Sequence, residues 1–198
     1  MSGRGEPETS DEVLVLAARR GDERALEELL RRHEGRVLRV LRLMGVPLQD
    51  REDVAQEVFV RIFRHLGGFR TGTPFHSWVY RIAVNAAHDY RAGERRRAWD
   101  TPWDEGLEIP DPASGPEKAA EGIDLRDRLL RALSVLTRRE RAVFVLKELE
   151  GLETREVART LRIAAVTVRR HLGRARRRLE RALRQRDGKD FSEKGGRG

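Results

Sequence analysis

An all-α protein, built as two helical domains joined by a flexible acidic linker, is what this sequence predicts. Three observations predict it. Apolar residues recur at three- and four-residue spacing through both ends of the chain, and strand-type alternation is absent. The composition is 38% apolar against 37% charged, which suits thin helical bundles in which each helix buries one stripe and solvates the rest. Charge is also segregated. Residues 1–97 carry 18 basic and 15 acidic side chains, residues 98–122 carry one lysine and seven acids, and residues 123–198 carry 22 basic and 11 acidic. The middle stretch also holds Pro102, Pro110, Pro112 and Pro116 with Gly106, Gly115 and Gly122, residues that remove hydrogen-bond donors and add backbone freedom. The expected division is therefore an unstructured start (1–10), a helical domain (11–97), a linker (98–122), a second helical domain (123–185) and a disordered tail (186–198).

In the first domain, Thr9 and Glu12 stand in capping-box spacing, so a helix is expected from Thr9 or Ser10, ending at Gly21. Asp22 can cap the next helix, whose apolar positions run from Ala25 to Met44, with Gly45 and Pro47 ending it. Asp50 opens a third, DREDVAQEVFVRIFRHL, with the apolar set Val54, Ala55, Val58, Phe59, Ile62, Phe63 and Leu66. Asp53, Gln56 and Glu57 fall on another face at i, i+3, i+4 spacing and form one polar patch. After a loop with Gly67, Gly68 and Gly72, Thr73-Pro74 serve as N-cap and first helical residue of a fourth helix, from about Phe75 to Arg91, running into Arg95–Arg97. Trp78, an aromatic at helical spacing, reads first as a core residue, while Tyr80 and Arg81 are expected to be exposed.

In the second domain, Thr137 and Glu140 form another capping box, and Gly151 ends the helix it opens. The segment TREVARTLRIAAVTVRRHLGRARRRLERAL then places Val157, Ala158, Leu161, Ile163, Val166, Val168 and Leu172 at positions that fit the interior of two short helices around a tight turn, a helix-turn-helix pattern. Its second helix carries Arg169, Arg170, His171, Arg174, Arg176, Arg177 and Arg178 outside those apolar positions, and Glu180 is the one acid from Ala165 to Arg186. A helix this basic belongs in a major groove with flanking phosphate contacts. The net charge of +8 points the same way, towards an anionic partner.

Several classes are excluded. The chain has no cysteine, so it has no disulfide or thiolate metal site. His33, His65, His76, His88 and His171 show no metal-binding spacing, and no phosphate-binding loop, nucleophile elbow or dinucleotide fingerprint is present. No cofactor, metal or catalysis is expected. Residues 1–12 are polar without an apolar leader segment, and no apolar run reaches the roughly 18 residues of a membrane span, so a cytoplasmic protein is expected.

The segment DREDVAQEVFVRIFRHLGGFRTGTPFHSWVYRIAVNAAHDYRAGERRR resembles region 2 of the extracytoplasmic-function sigma factors of bacterial RNA polymerase. LTRRERAVFVLKELEGLETREVARTLRIAAVTVRRHLGRARRRL resembles region 4 of the same family. The resemblance implies that Asp53, Gln56 and Glu57 dock on a coiled coil of core RNA polymerase. It implies that Phe69 and Asn85 line a pocket for a base flipped out of the promoter's −10 element, with Arg70, Trp78, Arg91, Arg95 and Arg96 on the same melted DNA. It assigns −35 duplex contacts to Thr167, Arg169, Arg170, His171, Arg174, Arg176 and Arg178. The linker acids Asp100, Asp104, Glu105, Glu108 and Asp111 would occupy a nucleic-acid channel of the polymerase, and an anti-sigma factor is an implied partner. The sequence departs from the family at the helix-turn-helix, where Arg162 and Ala164 replace the usual Gly and Ser, and at Gly173, where a larger residue is common. Two rival functions share parts of the pattern: a helix-turn-helix regulator acting without polymerase, and a protein-binding adaptor.

Overall fold

The computed structural model describes residues 9–70, 72–100 and 125–194. Two compact units divide the chain, one formed by Met1–Arg42 with Val46–Ala87 and the other by Leu43–Gly45 with His88–Gly198. All regular structure among the described residues is helical.

In the first unit, α1 spans Asp11–Arg19. Its cap is Ser10, whose hydroxyl accepts from the Val13 amide at 3.4 Å, so the expected Thr9–Glu12 box gives way to a single-residue cap. Gly21, at φ +93°, ends the turn in a conformation that favours glycine. Asp22 caps α2 (Glu23–Leu43), its carboxylate accepting from the Ala25 amide at 3.1 Å. The next helix, α3, spans Arg51–His65 and passes into a 3-10 turn, Leu66–Gly68. Then α4 runs from Phe75 to Asp100, nine residues beyond the expected end and into the first positions assigned to the linker. The remaining linker positions lie outside the described residues. Leu29, Val37, Leu41, Val58, Ile62 and Val79 form the fully buried interior. Two expectations fail on α3 and α4. Phe63 sits at the edge of the α3 stripe and is 63% exposed, whereas Tyr80 is buried at 4%.

Two polar residues are buried inside this unit among the described residues, Ser77 and His33, the latter only 1% exposed. Its Nε2 lies 2.9 Å from an Asp11 carboxylate oxygen, and its ring meets the edge of Phe75 at 5.1 Å. Since Nε2 must carry the proton that Asp11 accepts, Nδ1 is left as a buried lone pair without a donor. Protonating it would bury an unpaired N–H. Desolvation therefore holds the ring's pKa below its ordinary 6.5, outweighing the opposing pull of Asp11, while Arg36 and His76 add to the lowering.

In the second unit, α5 (Leu125–Ser134), α6 (Arg138–Phe144) and α7 (Thr154–Leu161) all pack on α8, which spans Ala165–Lys194. The sequence reading did not single out α5, although Leu129 and Leu133 stand four residues apart on it. The predicted capping box is present: the Glu140 amide donates to Thr137 Oγ1 at 3.4 Å, and the Thr137 amide donates to Glu140 Oε2 at 3.0 Å. Beyond Phe144 the helix widens into a π-helical turn, Val145–Leu149, in which the Glu150 amide reaches back to the Val145 carbonyl. That extra residue lets Val143, Val145 and Leu146 all be fully buried. Gly151 then adopts φ +75°. The second helix of the helix-turn-helix is not short. It continues to Lys194, through most of the segment expected to be a disordered tail.

The turn between α7 and α8 depends on Arg162, the one non-glycine residue among those described with positive φ (φ 54°, ψ 48°). Its amide and that of Ile163 close the end of α7 on Ala158 and Arg159 carbonyls. A side chain in this left-handed region costs roughly 1–2 kcal/mol, which a glycine would avoid. Ala164 follows and offers no side-chain oxygen to the amides opening α8.

Two predictions follow from these local geometries. Arg162→Gly should stabilise the second unit by about 1 kcal/mol, read as a higher urea midpoint with unchanged slope; an unchanged or lower midpoint contradicts the account of the turn. Because the folded pKa of His33 lies below its unfolded value, its contribution to stability is complete above pH 6.5 and declines as pH falls below that value. Melting between pH 7.5 and 5 should show this decline, with a smaller decline in His33→Gln; identical profiles for the two proteins would rule it out.

Candidate polymerase and nucleic-acid interfaces

Asp53, Gln56 and Glu57 are all exposed on α3. Their opposite face carries buried Val54, Ala55, Val58 and Ile62, and this stripe is what turns the three polar side chains outwards. Glu57 is tied to Arg61 one turn on, at 2.8 Å, whereas Asp53 and Gln56 have no partner among the described residues. The polar face does not stop at Glu57. One and two turns further, Val60 (39% exposed) and Phe63 (63%) extend it with apolar surface. Residue type hid this from the sequence: periodicity places a phenylalanine at a stripe edge inside by default.

The loop after α3 is built on an aromatic cluster. Phe69, Phe75 and Trp78 lie 5.3–5.5 Å apart between ring centroids, at tilted or edge-on angles. All three are buried, Phe69 at 4%. The ring assigned to stack on a flipped base is therefore engaged on its own neighbours, and of the two readings of Trp78 the structure places it in the core. Edge-to-face pairs of this kind contribute about 0.5–1.5 kcal/mol each beyond their buried area. Arg19 of α1 ties the loop down from outside: its Nε donates to the Leu66 carbonyl at 3.0 Å, and its Nη2 donates to the Phe69 carbonyl. Nothing in the sequence pattern marks Arg19 for this, since the contact spans about fifty residues. In the first unit Arg70 and Asn85 are exposed; Arg91, in the second, is exposed too and donates to the Met44 carbonyl at 3.5 Å. Arg81 is half-buried. Arg95 and Arg96 belong to α4, but their side chains lie outside the described residues.

On α8, Val168, Leu172 and Ala175 form a narrow buried stripe at i, i+4, i+7. His171 lies beside that stripe and is itself buried, at 8%. It is therefore an interior residue, and its assignment as a duplex contact is corrected. Burial first, then Arg170 and Arg174, lower its pKa against the pull of Glu140. Thr167 is half-buried, while Arg169, Arg170, Arg174, Arg176, Arg177 and Arg178 are exposed. They divide into two sets. Arg176 pairs with Glu148 at 2.7 Å and Arg178 with Glu140 at 3.5 Å, so both brace α8 against α6 and the π-helical turn. Burial opposes the Glu140 charge, yet Thr137 hydrogen bonds and Arg178 hold its carboxyl below the usual range. Arg169, Arg170, Arg174 and Arg177 have no carboxylate partner among the described residues. Unneutralised guanidinium groups on one helix face repel one another unless a polyanion lies against them.

Among the described residues, no cluster of three metal-ligating side chains occurs and no helix is long and apolar enough to cross a membrane. The Sigma-70 region 2 profile matches residues 29–97, and the Sigma-70 region 4 profile matches residues 126–179. The RNA polymerase sigma-H factor of Pseudomonas aeruginosa is 31% identical over 87% of this chain and 93% of its own. The ECF RNA polymerase sigma-E factor of Escherichia coli K12 is 32% identical over 86% and 93%. Among solved structures, CnrH in complex with the cytosolic domain of CnrY superposes with a TM-score of 0.65 at 27% identity, over 88% of this chain and 97% of that one. With both regions present in order and near-complete coverage of these relatives, the chain belongs to the extracytoplasmic-function group of sigma-70 factors, proteins that direct transcription initiation by bacterial RNA polymerase.

Proposed function

We propose that this sigma factor divides its work as its two regions do. Residues 11–97 grip core RNA polymerase and hold the melted −10 strand, residues 98–122 form the linker, and residues 123–185 hold the −35 duplex. The observation that carries this reading is the pair of unpartnered outward faces, acid and amide on α3 and arginine on α8, in one chain. Asp53 and Gln56 present an acceptor-rich surface suited to a basic helical hairpin, and Val60 and Phe63 extend it with the apolar area that anchors an interface. Arg169, Arg170, Arg174 and Arg177 supply the phosphate and base-edge contacts.

On the −10 side, Asn85 offers both a donor and an acceptor to an unstacked base, with Arg70, Arg91, Arg95 and Arg96 along the backbone of the same strand. Phe69 and Trp78 act there as a rigid support beneath the loop. The protein supplies binding energy and performs no catalysis, and it works in the cytoplasm, where promoter DNA is found. A restraining protein partner is part of the proposal; the similar CnrH was solved bound to the cytosolic domain of another protein. The two rival readings, an autonomous helix-turn-helix regulator and a protein adaptor, leave the α3 face or the α8 face without a role.

Run-off transcription with purified core polymerase is the direct test. Added protein should bind core polymerase and start transcripts at discrete promoters; failure of both would end this reading. Asp53→Arg and Gln56→Ala should each weaken core binding several-fold without changing the affinity of the second region for duplex DNA. An equal loss of both would contradict the division of labour. Arg174→Ala should weaken duplex binding and lower the slope of log affinity against log salt by about one; an unaltered slope removes Arg174 from the phosphate contacts.

A further inference from the structure

The outward line of α8 is not uniformly basic. Val166 stands in the first turn of the helix with 64% of its surface exposed, the most exposed valine among the described residues. At about 100° per residue, Arg170, Gly173 and Arg177 follow it along one line, with Arg169 and Arg174 to either side. The second unit has no use for an isopropyl group at that place. The interior of α8 is filled by Val168, Leu172 and Ala175, and a β-branched residue is a poorer helix former than alanine.

Gly173, two turns on, is also unexplained from within. A Cβ added there would meet only Arg177 Nη1, at 3.6 Å, an ordinary contact. Gly35 and Gly93 are equally free of internal demand, so a helical glycine by itself says nothing. What distinguishes Gly173 is its place on the Val166 line, among arginines that no carboxylate neutralises. Methyl groups at one end, bare backbone further along and guanidinium groups on and beside the same line make a face complementary to a major groove. There the phosphates form the walls, and the C5-methyl of each thymine projects from the floor.

We propose that Val166 is a base-reading residue: its isopropyl group contacts the C5-methyl of a thymine in the −35 duplex, and Gly173 lets α8 seat deeply enough for that contact. This rests on the reading that α8 enters the −35 duplex. The arginines then set position and orientation on the backbone, and Val166 contributes sequence choice at one base pair. An apolar side chain recognises thymine by this methyl group, which cytosine lacks, and so adds to the O4 acceptor that hydrogen bonding reads.

The test uses holoenzyme assembled from the full chain and core polymerase, with promoter duplexes selected by that holoenzyme from a random-sequence library. Each thymine of the −35 element is then replaced singly by deoxyuridine, which removes only the methyl group. At one position the replacement should weaken binding about three- to fivefold, the scale of one lost methyl contact. Val166→Ala should bind the unmodified duplex with a similar loss, show no further loss on the deoxyuridine duplex, and keep the wild-type salt slope, since no charge has been removed. A Val166→Ala protein as sensitive as wild type at every thymine would overturn the proposal. Gly173→Ala should raise thermal stability and weaken −35 binding; higher stability with unchanged binding would overturn the seating role. Arg170→Ala and Arg174→Ala separate the two levels. If they too leave −35 binding intact, α8 does not enter the duplex; if they weaken it while Val166→Ala behaves as wild type, only the base-reading assignment fails.

Discussion

More than a third of the residues carry charge, so one apolar stripe holds most helices of this protein, α4 being buried more widely. The constraint is most severe on α8. Its buried apolar residues, Val168, Leu172 and Ala175, form a narrow line with His171 beside it, and α5, α6 and α7 all converge on that helix. So narrow a contact leaves α8 few rotational settings, and the rotation decides which arginines look outwards. Turning the helix by one position would bury Arg169 and expose Val168. The interior packing and the composition of the outward face are thus one decision, and changes to the stripe should be read as changes to the basic surface.

The first unit solves a related problem at a loop. A segment with Gly67, Gly68 and Gly72 is entropically costly to hold in one shape. Here three aromatic rings fill the space beneath it, and Arg19 bonds two of its carbonyls from the flank. The cluster continues through Phe75 to His33 and from there to Asp11, so α1, α2, the loop and α4 are joined by one chain of ring and hydrogen-bond contacts. A loop held in one shape by such a support gives up less conformational entropy on binding any ligand. The support also changes the role of Phe69, whose ring contributes to the loop's rigidity rather than to its exposed surface.

The helix-turn-helix shows stability given up locally. Thr137 and Glu140 make a complete capping box at the start of α6, while α8 begins after a left-handed arginine and an alanine that cannot cap. Losses of about 1 kcal/mol at each position are large beside the few kcal/mol that hold a small helical unit together. The Arg176–Glu148 and Arg178–Glu140 pairs tie α8 to the π-helical turn and α6; the first is exposed and adds little by itself, while the second engages the buried Glu140 carboxylate.

Most local signals were legible in the sequence, the Thr9–Glu12 box being the exception, since Ser10 takes the cap. The Asp22 cap, the Thr137–Glu140 box and the stops at Gly21 and Gly151 are decided within four residues, and each is present. The all-α class and the family membership were equally readable, since both rest on periodic stripes and contiguous motifs. What only the tertiary structure decided concerns residues at stripe edges: Phe63 and Val166 turned out, Tyr80 and His171 turned in, and Phe69 engaged beneath its loop. A helical repeat gives each side chain an angle about its own axis, but not the position of the neighbour that covers it. For a residue near the border of a stripe, that neighbour's position settles burial, and it is supplied by packing partners distant in sequence.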